Sequence, residues 1–522
     1  MDRMMKSVLL SAAALAAISL APASAADAPL SPDRCGGFVA NAGGAVDRRF
    51  VSKRLEEKIA AFGRDSKLLP GMAVAVVKDG KIALLRGYGF EDLGACAPVS
   101  VDTRFYLKST TKTFLGALAA ILQDEGKVKL DAPVTEYLPG LSLPAPLNAA
   151  QIPLRAHFTH TIPYIDSGLN YATAAFGSIP EEDFVRHVNA HAQERSIEFD
   201  YTNFAPIIGA HALGAATGAN WRDLIEEKVF APAGMNSSFT YVAKAEAGPA
   251  AVSYLTPARG SFEKTYTKAD AQMHAAGGAY STIADMARWT QIELGDGEVN
   301  GASVFPKRVV EQTQARQVQL DWTYYEFRRF AAGLGLYDAD YEGEVLSHHF
   351  GGETHFSFMP ERGIGVVVLT NAIGDGVLVS HRLAALIYDS LLEKPDADER
   401  WARRLGELGA SFDKSKIAIA DYMAKLKARA PKGPPSMDAA TLAGVYRNDR
   451  LGDVVVGDAG GSLTIRLGVK DGDPVPAGGD SYFVDAGLWG DPPSLFEFKR
   501  GAKAGEIFID WDGRIFTRSA AP

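Results

Sequence analysis

The stretch "FYLKSTTKTFLG", residues 105–116, puts Ser109 three residues before Lys112 and runs directly into the apolar "FLGALAAIL". One reading makes Ser109 a cap, because a Ser or Thr just before an apolar helical run is a common N-cap. The other makes it a nucleophile with an amine one turn away. Lys112 bears on the choice. A cation in the first turn is mildly unfavourable beside the positive end of a helix. "FLGALAAIL" is apolar nearly all round, which predicts a buried helix rather than an amphipathic one. At the mouth of such an element, desolvation and the helix terminus both favour the neutral amine. A neutral amine can accept or relay the proton of a neighbouring hydroxyl, and the helix N-terminus offers amides to a developing oxyanion. By itself, however, S-x-x-K recurs by chance.

The rest of the chain narrows the setting. Its 522 residues allow two or three domains. With 47% apolar and 22% charged residues, it falls outside the disordered and fibrous classes. The net charge of -9 and the lack of any Lys/Arg-rich block argue against a nucleic-acid partner. At the N-terminus, Arg3 and Lys6 precede "VLLSAAALAAISL", and "APASA" ends in a small-x-small pattern. Residues 1–25 therefore read as a cleavable signal peptide, giving a periplasmic or secreted protein with no stable membrane anchor. Cys35 and Cys96 are the two cysteines. Pairing in an oxidising compartment and two free thiols are both open readings, and nothing around them resembles a zinc set.

Patterning gives the domain plan. "GMAVAVVKDGKIALLRGYGFED" has two apolar runs around "KDGK", a hairpin signature. A helix is predicted from Thr111 to Gln123, alternating helices and loops from about 150 to 310, and a central strand at "GIGVVVLTN", residues 363–371. Strands at both ends with helices between predict an α/β (α+β) domain over 26–392: an antiparallel sheet flanked by helices, beside a mostly helical region. Residues 393–435 read as a helical, Pro-containing linker. Residues 436–522, with short strands such as "DVVVGD", "LFEFKR" and "EIFIDW", read as a small β-barrel-like domain.

Two further motifs add weight to Ser109. "FDYTNFAPIIGAHALG" carries Tyr201 and Asn203 as Y-x-N, and "SHHFGGETHFSF" carries His349 and Gly351 as H-x-G. With S-x-x-K, in this order, the chain resembles the β-lactamase-related serine hydrolases, the penicillin-recognising superfamily of class C β-lactamases, D-aminopeptidases, DD-peptidases and esterases. "RAHFTHTIPY", "LIEEKVFAPAGMNSS" and "AAGGAYSTIADMARW" extend the likeness over residues 50 to 390, and "LAGVYRN" begins a tail similar to a lipocalin-like module.

The resemblance implies roles. Ser109 would be the nucleophile, Lys112 its proton partner and Tyr201 the base and acid at the leaving group, with a phenol lowered by a charged Lys112. Whether tyrosinate or neutral lysine takes the serine proton stays open. Asn203 would orient the substrate, and the amides of Ser109 and Gly352 would form the oxyanion hole. No cofactor or metal is implied, and the expected partner is a small acyl substrate or short peptide.

Two departures stand out. His349 replaces the lysine of K-T-G, and an imidazole is mostly neutral at pH 7, so esters or D-amino-acid peptides fit better than an anionic β-lactam. His355 stands where the family usually has Gly and would crowd the pocket. A class C-like β-lactamase and a catalytically silent peptidoglycan-fragment binder are the alternatives. His187 and His191 lack the H-E-x-x-H pattern and read as a solvated helix face; His157 and His160 would belong to a structural loop.

Overall fold

Apolar residues at nearly every position of "GMAVAVVK" predict a strand with no solvent face, and this strand lies inside the main sheet. The structure, a computed structural model, describes residues 29–195, 198–486, 492–503 and 505–519, so the expected signal peptide lies outside the described residues. In chain order the strands are β1 (Ala45–Val46), β2 (Gly71–Lys78), β3 (Lys81–Asp92), β4 (Val318–Tyr324), β5 (Phe327–Ala332), β6 (Tyr337–Tyr341), β7 (Glu344–Phe350), β8 (Thr354–Met359) and β9 (Ile364–Thr370). They run side by side as β1-β3-β2-β9-β8-β7-β6-β5-β4, and Ala97–Pro98 adds a short strand to β3. Neighbours are antiparallel, with β9 joining the two distant halves through pairs such as Val367 with Ala75.

The helices that matter here are α1 (Lys53–Ser66), α2 (Thr111–Asp124), α3 (Phe204–Thr217), α4 (Ile283–Leu294), α5 (Asp375–Leu391) and α6 (Ala397–Arg429). Strand alternation sorts β2 between two cores. Ala73, Ala75 and Val77 face the layer of α2 and α4, whereas Met72, Val74 and Val76 face α1 and α5. Every residue of α2 from Thr111 to Leu122 is buried. That is why its apolar residues do not keep to one stripe.

The segment expected as a linker is mostly the 33-residue helix α6. Trp401, Leu408 and Phe412 join the back core, and Leu426 packs with Phe483 and Leu495 of the C-terminal sheet. One helix therefore packs against both domains. The tail is a nine-stranded antiparallel sheet curled into a half-barrel around Tyr446, Phe496, Trp511 and Phe516. It rests on the helical region at Ala175 and Phe176. Cys35 and Cys96 are joined by a disulfide. Among the described residues no helix is long and apolar enough to cross a membrane.

Candidate active site

Each polar side chain of "KSTTK" has a separate task. Lys108 has left-handed backbone, φ 50°, a conformation that costs a non-glycine residue about 1–3 kcal/mol. Its ammonium forms an ion pair with Glu353. Thr110 Oγ1 lies 2.9 Å from Thr354 Oγ1, and Thr111 Oγ1 accepts from the Ala279 amide at 3.0 Å. The short 3-10 turn Lys108–Thr110 that holds Ser109 leads into α2 with no side-chain cap. Ser109 is not a cap.

Its hydroxyl is instead the centre of the site. Lys112 Nζ lies 3.1 Å from Ser109 Oγ, and the Tyr201 hydroxyl donates to the same oxygen at 2.8 Å. Lys112 Nζ also donates to Asn203 Oδ1 at 2.8 Å and to the Ala276 carbonyl at 2.7 Å. Lys112 is 2% exposed, and burial holds its pKa well below that of an ordinary lysine. A neutral amine has two N–H groups and one lone pair. With both N–H groups taken by acceptors, the lone pair is left for the serine proton.

Tyr201 differs from the expectation. Burial pushes its phenol up, against a smaller opposing effect of the Ser109 hydrogen bond. The lowered phenol implied by the resemblance is not found, because burial outweighs the groups that favour a phenolate. The side chain is held by the His160 ring, 4.8 Å away. Asn203 precedes α3 without capping it; Thr202 Oγ1 accepts from the Ala205 amide in its place, leaving the Asn203 oxygen for Lys112.

The turn after β7 closes the site. A Cβ on Gly351 would come within 1.9 Å of the Leu107 carbonyl, so only glycine fits there. Gly352 has φ 74° and sits against the Lys108 side chain, next to Ser109. His349 is 2% exposed; Nδ1 lies 3.0 Å from the Phe350 carbonyl, and Nε2 is sealed without a partner among the described residues. Burial, then the nearby Lys112 and Arg329, keep its pKa well below the usual imidazole range. Hence Ser109, Lys112, Tyr201 and Asn203 are in direct contact, with His349, Gly351 and Gly352 on the adjoining strand end.

Two further readings are corrected. His355 points away from the site, toward α5, where its Nδ1 lies 3.2 Å from His381 Nδ1; it does not crowd the pocket. His187 is buried, with Nδ1 2.7 Å from Asp166 Oδ2, so that helix face is not solvated. Sequence reasoning also missed the Lys108–Glu353 ion pair and the contact of His160 with Tyr201. Neither has a local signal, since each pair is joined only by tertiary packing. Among the described residues no group of three or more His, Cys, Asp or Glu is arranged to hold a metal ion.

The sequence model of the beta-lactamase family matches residues 52–389, which span all of these groups. The chain belongs to the beta-lactamase family. This family member is 25% identical over 433 residues to the "Unguisins hydrolase ungD" of Aspergillus violaceofuscus, covering 76% of this chain and 75% of that protein. It is 27% identical over 314 residues to the D-alanyl-D-alanine-carboxypeptidase/endopeptidase AmpH of Escherichia coli, covering 57% of this chain and 78% of that one. An octameric penicillin-binding protein homologue from Pyrococcus abyssi shares its fold, with a TM-score of 0.57 at 19% identity over 89% of this chain and 99% of that chain.

Proposed function

We propose that this protein is an exported serine hydrolase that transfers an acyl group to Ser109 and then to water. The observation that carries the reading is the placement of Ser109 Oγ between a buried lysine at 3.1 Å and a tyrosine hydroxyl at 2.8 Å. Lys112, neutral, takes the serine proton as Oγ attacks the substrate carbonyl. The oxyanion is held by the amides of Ser109 and Gly352. Tyr201 gives its proton to the leaving atom as the carbonyl–leaving-group bond breaks, and Lys112 returns a proton to Tyr201. Water then attacks the acyl-enzyme, losing its proton by the same relay, and Ser109 is restored. A protein that only bound fragments would have no need of this three-way contact.

Small esters and D-amino-acid peptides are the proposed substrates. The D-alanyl-D-alanine activity named for the Escherichia coli relative supports the peptide class. Export is supported by the N-terminal "VLLSAAALAAISL…APASA" pattern and by the Cys35–Cys96 bridge, since such bridges persist in oxidising compartments. The test is intact-protein mass spectrometry after incubation with a neutral fluorophosphonate. One adduct, on the peptide holding Ser109 and absent from Ser109→Ala, is expected. No adduct, or an adduct elsewhere, overturns the reading.

A further inference from the structure

The two amides that would hold the oxyanion come from separate segments, Ser109 from the turn before α2 and Gly352 from the turn after β7. Among the described residues neither amide donates a hydrogen bond. Both must lie about 2.7–3.1 Å from the same oxygen, so a tertiary link has to fix their separation. The two segments meet in two places. On the buried side Thr354 Oγ1 donates to the Leu107 carbonyl at 3.1 Å and lies 2.9 Å from Thr110 Oγ1. On the outer side Lys108, the residue before Ser109, is ion-paired with Oε2 of Glu353, the residue after Gly352. The pair therefore flanks both amides in the chain. Glu353 is its fixed end. Oε1 accepts from the Gly374 amide at 2.7 Å, and the Glu353 carbonyl accepts from Thr370 Oγ1 at 3.0 Å, so β9 and the turn into α5 hold this residue.

Lys108 keeps a left-handed backbone, φ 50°, where glycine would carry no steric cost. A strained non-glycine residue beside the reacting atoms calls for a role of its side chain. That side chain runs over Gly352, where a Cβ would meet Lys108 Cδ at 3.1 Å. Its stem thus rests on the residue that supplies the second amide, while its ammonium reaches Glu353. With side chains 20% and 6% exposed, the pair is shielded from salt more than a surface contact is. We propose that Lys108 and Glu353 are a positioning pair that sets the spacing of the Ser109 and Gly352 amides. Its effect falls on the transition state, where the oxygen carries charge, and not on binding of the uncharged substrate. This inference rests on the acyl-transfer reading of Ser109.

The test sets phenyl acetate turnover, per labelled active site, beside inhibition by two ketones of similar shape. Phenethyl trifluoromethyl ketone accepts Ser109 Oγ at its carbonyl carbon while Lys112 takes the serine proton. The carbonyl electron pair moves to oxygen, giving a hemiketal oxyanion between the two amides. Phenethyl methyl ketone stays a neutral carbonyl. Lys108→Met and Glu353→Gln should each lower kcat/KM by at least about tenfold and weaken the trifluoromethyl ketone by the same factor. The methyl ketone should bind within about threefold of wild type. The double variant should lose no more than either single one, since all three remove one link, and Lys108→Arg should recover most of the loss. Unchanged kcat/KM, additive losses, or an equal weakening of both ketones overturns the assignment. If Lys108→Met does not fold, Lys108→Gly, which suits the left-handed backbone, takes its place. Fluorophosphonate labelling of the wild type separates the two readings. Labelled protein whose variants keep full kcat/KM sinks the pair alone, whereas unlabelled protein sinks the serine mechanism.

Discussion

The two faces of β7 and β8 are both lined with histidine, and only one of them faces Ser109. His349 is on the Ser109 side; His348 and His355 are on the other, with His381 of α5. All four are buried, and burial lowers the pKa of each. On the back face the imidazoles pack against Phe350, with ring centres 4.1, 4.5 and 4.1 Å away. His355 Nε2 lies 2.6 Å from Ser357 Oγ, which in turn lies 2.9 Å from the Tyr388 hydroxyl. On the front, Lys112 and Tyr201 converge on one free hydroxyl. Shifted titration is therefore common to both faces, and what distinguishes the front is a serine hydroxyl within hydrogen-bond reach of both a lysine and a tyrosine.

The strongest way to break this comparison is Ser109→Ala. Hydrolysis of a good ester should fall to background, while the melting temperature changes little because Ser109 caps nothing. Retention of more than a few per cent of wild-type activity would mean the reactive oxygen is elsewhere. Next is Tyr201→Phe, which keeps the ring against His160 and removes only the transferable proton. A loss of about 10²-fold or more in kcat is expected; an unchanged kcat with raised KM would make Tyr201 a binding group instead.

The pH profile follows. Burial lowers Lys112, and only its neutral form can accept the serine proton. Activity should therefore be lost as pH falls through the Lys112 pKa, about tenfold per unit, and kept as pH rises. In the proposed mechanism Tyr201 acts with its proton on, and burial raises it above the ordinary phenol pKa of about 10. Above that fall, kcat/KM should stay level up to the ordinary phenol range of about 10. A second rise in that range, tracking phenolate, would reverse the two roles.

The smallest effects sharpen the contrast directly. His349→Ala should lower kcat/KM by about tenfold and also destabilise by about 1–3 kcal/mol through the gap left by a buried side chain. His355→Ala should leave kcat/KM within about threefold yet destabilise by about 1–3 kcal/mol, by unpairing Ser357 and opening a gap. Urea unfolding and ester kinetics on both variants measure this, and equal kinetic effects would erase the distinction between the faces.

Much of the fold was legible because its signals are local. The hairpin around "KDGK" became β2 and β3, the helix predicted over Thr111–Gln123 became α2, and "GIGVVVLTN" became β9. The misreadings came from tertiary packing. A charge- and alanine-rich segment reads as a spacer until Trp401, Leu408 and Phe412 are seen to enter a core. His187 on a helix reads as solvated until Asp166 is found against it.

By itself, then, the sequence determined which groups could meet within one turn. Three-residue spacing brings Lys112 beside Ser109 whatever surrounds the helix, and unbroken apolar runs set which strands are covered on both faces. Only the tertiary structure decided where the protons and charges reside. Alternation along β7 puts His348 and His349 on opposite faces, but it does not say which face meets Ser109. The lowered pKa of Lys112 and the raised phenol of Tyr201 depend on what packs around each group. A charge loses its water to neighbours brought from distant parts of the chain, and no local pattern encodes that loss.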